Sequence, residues 1–126
     1  DKSRSRGLGD VYKRQMWNGI TTLNFAKIVD GMIKNNNFKT YIQHVLPKDE
    51  VSKYELLLYF KNYFNVDVVI EESKSSNSVN RTLKTQNQDN NLKLWRDAGY
   101  KSVPTIEENI KELSESDFTK GILNNI

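Results

Sequence analysis

The stretch SKYELLLYFKNYF, residues 52–64, carries the strongest indication of fold class in the sequence. Ser52 stands three residues before Glu55, which is the spacing of a capping box. In that motif the Ser hydroxyl and the Glu carboxylate each accept a hydrogen bond from a backbone N–H group at the start of a helix. The pattern therefore predicts a helix over residues 53–64.

The apolar side chains of this helix cover a wide part of its circumference. Leu58 and Tyr59 fall outside the main apolar face and widen it, so the helix needs packing partners on two sides. The main face is predicted to hold Leu56, Leu57, Phe60, Tyr63 and Phe64.

Another helix and a strand are predicted upstream of this stretch. Thr21 or Thr22 can cap a helix that ends near Lys34. The residues FKTYIQHVLP, 38–47, then have the β-branched and aromatic content of a strand. The apolar face of the first helix is predicted to hold Phe25, Ala26, Ile28, Val29, Met32 and Ile33, and the polar face Asn24, Lys27, Asp30 and Lys34.

The alternation of helix and strand continues downstream. VDVVIEE, residues 66–72, alternates its side chains as a half-buried strand does, and a polar loop of about 73–91 follows. Thr105 and Glu108 repeat the capping-box spacing and predict a last helix. The order helix, strand, helix, strand, loop, helix predicts an α/β fold.

The first 15 residues, DKSRSRGLGDVYKRQ, differ from the rest of the chain in charge. They hold five basic and two acidic side chains, which account for the whole net charge of +3, so residues 16–126 carry 14 of each sign. The hexapeptide DVYKRQ is what GATGTGTATAAGAGACAG encodes, and that DNA resembles a transposon end used in sequencing libraries. We expect residues 1–15 to be a translated adapter, not native, with few contacts to the domain formed by residues 16–126. The neutral remainder predicts no nucleic-acid partner.

The remaining composition suits one small domain or one lobe of a larger one. The chain has no cysteine, so a disulfide framework and a thiolate zinc site are excluded, and a reducing compartment is the expectation. No apolar run approaches the roughly 18 to 20 residues that a membrane span requires. We therefore expect a soluble, cytoplasmic protein without a membrane partner.

Residues 16–126 contain no pattern typical of a catalytic, cofactor-binding or metal site. The one histidine, His44, has no cysteine or acidic pair at ligand spacing, and we expect it to be a structural or surface residue. Glu71 and Glu72 are neighbours in a predicted strand, where successive side chains point to opposite faces. The one glycine cluster, RGLGD, lies within residues 1–15.

A polar turn before the first helix is the more informative feature. Trp17, Asn18 and Gly19 precede the capping threonines. An indole and an amide at this position could line a pocket, or they could pack and cap the entry to the helix. Both interpretations remain open from the residues alone.

Three blocks of the sequence together resemble a known family. They are WNGITTLNFAKIVDGMI (17–33), VLPKDEVSKYELLLYFKNYFNVDVVIEE (45–72) and VNRTLKT (79–85). In order and spacing they resemble the C-terminal part of extended short-chain dehydrogenases, and most closely the dTDP-4-dehydrorhamnose reductase-like, sugar-nucleotide-binding proteins of bacterial surface polysaccharide synthesis.

The resemblance implies a fragment of a larger enzyme. In that family a Rossmann domain binds NAD(P), and a Tyr-x-x-x-Lys pair supplies the acid for hydride transfer at a sugar carbonyl. No tyrosine in this chain is followed by lysine four positions later. The resemblance therefore implies the small C-terminal substrate-binding lobe of an NAD(P)-dependent parent, with the Rossmann domain missing as its partner, and no cofactor or catalytic residue in the fragment.

The resemblance also implies where a nucleotide sugar would bind. The VNRTLKT block resembles the family's NRSL or DRSL block near the substrate pocket, so Asn80 and Arg81 become candidates for contact with phosphates or sugar hydroxyls. Trp17 and Asn18, in the polar turn before the first helix, are further candidates for substrate binding. Arginine suits phosphate because its planar fork holds two oxygens at once. The Arg-Pro dipeptide common before this block in the family is replaced here by Ser78 and Val79.

Two alternatives remain beside this interpretation. The fragment could come from a sugar-nucleotide epimerase or dehydratase, which would share the lobe. It could also be a stand-alone α/β interaction module that docks a partner protein through the broad apolar face around Leu58 and Tyr59.

Overall fold

Four helices and one small sheet make up the fold, which we describe from a computed structural model for residues 16–38, 42–71 and 81–117. The predictions for residues 1–15, for Glu72 and for Asn80 lie outside these ranges. Within them, the chain is a small mixed α/β domain with a two-stranded sheet. The elements in chain order are β1 (Met16–Trp17), α1 (Thr22–Asn35), β2 (Val51–Ser52), α2 (Lys53–Phe64), α3 (Gln88–Asp97) and α4 (Ile106–Glu115).

Capping boxes start three of the four helices. At α2 the Ser52 hydroxyl accepts from the Glu55 N–H at 3.1 Å, and the Glu55 carboxylate accepts from the Ser52 N–H at 3.0 Å. The helix predicted over residues 53–64 is thereby confirmed. Thr21 caps α1 with Asn24 in the reciprocal position, and Thr105 caps α4 with Glu108, as the spacing predicted for that helix.

The first hydrophobic cluster forms where α1 packs against α3. Its buried members are Ile28, Leu94 and Trp95. The two helices approach closely at Gly31, where an added Cβ would lie 2.6 Å from the backbone oxygen of Asp97. A side chain at this position would therefore push the helices apart.

The second hydrophobic cluster forms where α2 packs against α4. Val51, Ile106 and Ile110 are its buried members. Tyr59 packs against them although the sequence placed it outside the main face, whereas Leu57, assigned to that face, is 41% exposed. The remaining partly buried side chains on this cluster are Trp17, Leu56, Phe60, Tyr63 and Phe64.

A buried hydrogen bond links the two clusters. Asn24 on α1 is 0% exposed, and its Nδ2 donates to Asn109 Oδ1 on α4 at 3.2 Å. The sequence placed Asn24 on the polar, solvent-facing side of the helix, and that prediction is wrong. The residue is buried because its amide both completes the capping box at Thr21 and reaches across to α4.

The prediction of a strand over residues 38–47 is wrong for the described part, 42–47, because these residues form no regular secondary structure. The reason lies at Leu46, whose N–H donates to Asn91 Oδ1 at 2.9 Å. Its carbonyl accepts from Asn91 Nδ2 at 3.1 Å and from Trp95 Nε1 at 2.8 Å. Side chains of α3 thus satisfy the backbone groups that a neighbouring strand would otherwise pair.

Residues 66–71 also lack the predicted strand. Of the apolar members of the alternation, Val66 and Val68 are exposed and Ile70 is half-buried. The Val68 N–H donates to the nearby Val66 carbonyl at 3.2 Å. The polar loop predicted to reach residue 91 is wrong over 88–91, because α3 begins at Gln88. No helix in the described ranges is both long and apolar enough to cross a bilayer.

Candidate functional site

The short strand β1 brings together residues that lie far apart in sequence. It pairs antiparallel with β2, with Met16 opposite Ser52 and Trp17 opposite Val51. Trp17 also forms a parallel bridge with Arg81, whose N–H donates to the Met16 carbonyl at 3.0 Å. The strand β1 is therefore joined both to the entry of α2 and to the segment after residue 80.

The side chain of Asn18 extends this pairing beyond the strand. Its Nδ2 donates to the Leu83 carbonyl at 2.9 Å, and its Oδ1 accepts from the Leu83 N–H at 2.8 Å. The amide thus forms the same donor and acceptor pair that a backbone peptide offers to a neighbouring strand. Asn18 is buried, and its two bonds hold residues 81–83 in register beside β1.

Trp17 connects the site to the second hydrophobic cluster. Its half-buried side chain packs against the cluster of Val51, Ile106 and Ile110. The indole ring also lies against the backbone of Gly19, so closely that an added Cβ at Gly19 would overlap it. Gly19 is therefore needed for the indole to fold back over the turn.

Arg81 is the exposed member of this group. Its backbone is fixed by the Met16 carbonyl, while the residue itself is exposed to solvent. A guanidinium presents five N–H donors in a planar fork. An exposed guanidinium on a fixed backbone can bind an anionic group at the surface.

The structure thus brings together three of the four residues proposed as a binding site. Trp17, Asn18 and Arg81 are neighbours, while Asn80 lies outside the described residues. The amide of Asn18 has a structural role as well, because both of its ends bond to Leu83. His44 is exposed, and no three His, Cys, Asp or Glu side chains converge in the described part of the chain.

A polar cluster between α1 and α4 was missed by the sequence analysis. Asn24 Nδ2 donates to Tyr100 Oη at 2.9 Å, and that hydroxyl donates to Glu112 Oε1 at 2.7 Å. Lys27 forms an ion pair with the other oxygen of Glu112, and its Nζ lies 5.5 Å from the centroid of the Tyr100 ring.

The environment of Tyr100 favours its neutral form. Burial is the largest cause that raises the pKa of Tyr100 above its usual range, followed by the hydrogen bond to the Glu112 carboxylate, while the bond from Asn24 lowers it. A signal for this cluster does exist in the sequence. Asn109 falls between Ile106 and Ile110 on the apolar side of α4, where a polar residue predicts a buried hydrogen bond.

Comparison of the chain with protein-family models, with curated proteins and with solved structures gave no match. The class that the fold defines is a small mixed α/β domain, in which Trp17 on the two-residue strand β1 lies beside Asn18 and Arg81.

Proposed function

We propose that the chain is the substrate-binding lobe of an NAD(P)-dependent sugar-nucleotide reductase, similar to the dTDP-4-dehydrorhamnose reductases of polysaccharide synthesis. One observation supports this function above the others. Arg81, which the family resemblance assigned to a substrate pocket, lies beside Trp17 and Asn18, the polar turn that could line a pocket. The NAD(P) and the catalytic acid would come from a Rossmann domain of the cytoplasmic parent.

The proposed role of each residue follows from its position. Arg81 would hold the phosphate oxygens of the nucleotide sugar, since charge-assisted, bidentate bonds are the strong ones at a surface. Asn18 would keep residues 81–83 in register through its two bonds to Leu83. Trp17 would provide a rigid apolar wall beside the phosphates, because its ring is held between the second cluster and Gly19.

Titration calorimetry with a dTDP-sugar tests this role on the 126-residue chain. Arg81→Ala is expected to weaken binding about ten- to a hundredfold, the equivalent of roughly 1.5–3 kcal/mol for a charged hydrogen bond. Arg81→Lys is expected to recover part of the loss, because an ammonium cannot reproduce the planar fork. Lys84→Ala removes an exposed cation from the same segment and serves as the control.

Equal affinities of the wild type and Arg81→Ala, in proteins with the same melting temperature, would contradict the assignment. The gene that surrounds this sequence gives a second, independent test. An upstream reading frame with a glycine-rich strand-turn-helix and a Tyr-x-x-x-Lys pair would support a reductase or epimerase parent. Any other upstream domain would contradict it.

A stand-alone interaction module is the second candidate, and one feature of α1 favours it. Phe25, Val29 and Ile33 recur at helical spacing along one side of α1 and are 60%, 36% and 63% exposed. This stripe replaces the face around Leu58 and Tyr59 that the sequence suggested for docking. A ribosome-binding site and a start codon at Met16 in the gene would favour this candidate over a lobe of a larger enzyme.

A further inference from the structure

The dipeptide of Asn18 and Gly19 has a chemical reactivity that the proposed function does not use. It is the one Asn-Gly pair in the sequence. The side-chain amide of an asparagine can be attacked by the backbone nitrogen of the next residue. The attack is least hindered when that residue is glycine, because glycine has no Cβ and the widest range of backbone angles. Asn-Gly is therefore the dipeptide at which spontaneous deamidation is most favoured.

The packing of the domain requires both members of this pair. The Asn18 amide bonds to both backbone groups of Leu83, at 2.9 Å and 2.8 Å. At Gly19 an added Cβ would overlap the indole ring of Trp17. A larger residue at position 19, which would slow the attack on the amide, is thus excluded by the indole. The reactive dipeptide is a consequence of how β1 and the turn after it are built.

The folded arrangement restrains the reaction. Asn18 is buried, and its two bonds to Leu83 fix the torsion angles of its side chain. While these bonds last, the amide cannot turn to meet the Gly19 nitrogen. Breaking them in place would leave buried polar groups without partners, which is unfavourable. Residues 81–83 therefore have to move away from β1 before the amide can react.

This movement of residues 81–83 does not require the domain to unfold. Arg81 and Leu83 are exposed, and 47% of the Leu83 surface is accessible to solvent. Hydrogen bonds join the segment to β1 and the turn, from the Arg81 N–H to the Met16 carbonyl and between Leu83 and Asn18. Exposed segments with little buried apolar surface open at a lower free energy than the whole domain. Local opening is thus the easiest route to the reactive state.

We propose that Asn18 is a site of spontaneous deamidation and that the opening of residues 81–83 controls its rate. The Gly19 nitrogen gives its proton to a solvent base and forms a bond to Asn18 Cγ. The bond between Cγ and Nδ2 breaks, and the Nδ2 group takes up a proton and leaves as ammonia, so that a cyclic succinimide remains. Water then opens this ring at either carbonyl and yields an aspartate or an isoaspartate at position 18.

The modified residue no longer holds the segment. An aspartate has an oxygen in place of Nδ2, and this oxygen would set one acceptor against another at the Leu83 carbonyl. An isoaspartate also lengthens the backbone before Gly19, which displaces the glycine from the indole of Trp17. Either product releases residues 81–83 from β1, and Arg81 with them. The inference does not rest on the nucleotide-sugar function, because it uses only the contacts and chemistry of the dipeptide.

Mass spectrometry and amide hydrogen exchange on the 126-residue chain test the proposal together. Conversion of Asn18 is followed in its tryptic peptide at neutral pH. Asn24, which is buried and precedes Phe25, lies in the same peptide and is the internal control. The Leu83 N–H is protected by its bond to Asn18, so it reports the same opening. Conversion in the folded chain is expected to be at least about tenfold slower than in the urea-unfolded chain, and this slowing should match the protection factor of the Leu83 N–H within about threefold.

A proline at position 83 opens the segment selectively. Leu83→Pro removes the N–H that bonds to Asn18 Oδ1, and it is expected to speed the conversion of Asn18 about threefold to tenfold. Lys84→Pro places the same ring at the next exposed position, keeps the Leu83 N–H and is the matched control. A thermal melt of each variant establishes that it is folded, and the exchange measurement on the wild type does not depend on either variant.

Asn18→Asp reproduces one product of the reaction. In the folded variant the protection of the Leu83 N–H is expected to fall about threefold to tenfold. Four results would overturn the proposal: equal conversion of Asn18 in the folded and unfolded chains, a slowing that disagrees with the Leu83 protection factor, equal conversion in folded Leu83→Pro and the wild type, and undiminished Leu83 protection in Asn18→Asp.

Discussion

Gly31 is the residue at which the backbones of α1 and α3 approach too closely for any side chain to fit. In an isolated helix, Gly→Ala would be favourable by about 1 kcal/mol. Here the new Cβ would lie 2.6 Å from the Asp97 oxygen, so the α1–α3 pair would have to separate. We expect Gly31→Ala to lower the free energy of unfolding by about 1–3 kcal/mol, measured by urea denaturation.

Asn62→Ala is the control for this substitution. Asn62 is exposed on α2, where alanine has only its higher helix propensity to contribute. A Gly31→Ala protein as stable as the Asn62→Ala protein would show that α1 and α3 do not approach as closely as described.

The ionisation of Tyr100 is expected to destabilise the domain at alkaline pH. Its pKa in the folded protein is raised, chiefly by burial and then by the bond to Glu112, so folding favours the neutral phenol. The stabilisation is present in full below the unfolded pKa of about 10 and is lost as the pH rises through the higher folded pKa. We expect wild-type stability to fall more steeply above pH 10 than that of Tyr100→Phe, in urea denaturation repeated at several pH values.

Other tyrosines set the background of that experiment. Burial raises the pKa of Tyr59, and the hydrogen bond to Glu107 raises the pKa of Tyr63. The wild type and Tyr100→Phe are therefore both expected to lose some stability at high pH. Parallel curves for the wild type and Tyr100→Phe would show that the Asn24–Tyr100–Glu112 cluster opens before the phenol ionises.

At the level of elements, the capping box of α2 gives the most direct prediction. Ser52 is buried at the junction of β2 and α2, and its hydroxyl accepts from the Glu55 N–H. Ser52→Ala is expected to cost about 1 kcal/mol in urea denaturation, while Ser52→Thr keeps an equivalent acceptor and most of the stability. Equal losses in the two variants would show that burial of the position, and not the cap, determines its contribution.

The helices that begin with capping boxes were predictable because their signals are local. Ser52 with Glu55, and Thr105 with Glu108, need only the next turn of the chain to be effective. The α3 helix was missed because its first turn, QDNN, reads as a polar loop. Two of those polar residues, Asn90 and Asn91, are buried, and their amides bond to Gln43 and Leu46.

The strand predictions failed for a non-local reason. A strand requires a partner for its backbone groups, and the alternation of Val66 and Val68 cannot specify one. The strands that do form, β1 and β2, have two residues each and show no periodicity at all. The bridge between Trp17 and Arg81 likewise could not be derived from periodicity, because it joins two segments that are far apart in sequence.

At the scale of the whole molecule, the helix pairs are interleaved along the chain. α1 packs on α3, and α2 packs on α4, so each half of the sequence supplies one helix to each hydrophobic cluster. A polypeptide of residues 1–71 contains α1 and α2 but neither of their partners. We expect it to show no cooperative thermal unfolding by circular dichroism, and a sigmoidal transition in this fragment would contradict the interleaved arrangement.

The interleaving also has a consequence during protein synthesis. As the chain leaves the ribosome, the apolar face around Ile28 is synthesised long before Trp95, which covers it. The apolar face of α2 is likewise synthesised before its partner Ile110. At about 5–20 residues per second this interval lasts on the order of several seconds, in which nascent apolar surface is open to chaperones and to aggregation. Slowed translation between α2 and α3 should therefore reduce the yield of soluble protein, although the finished fold is unchanged.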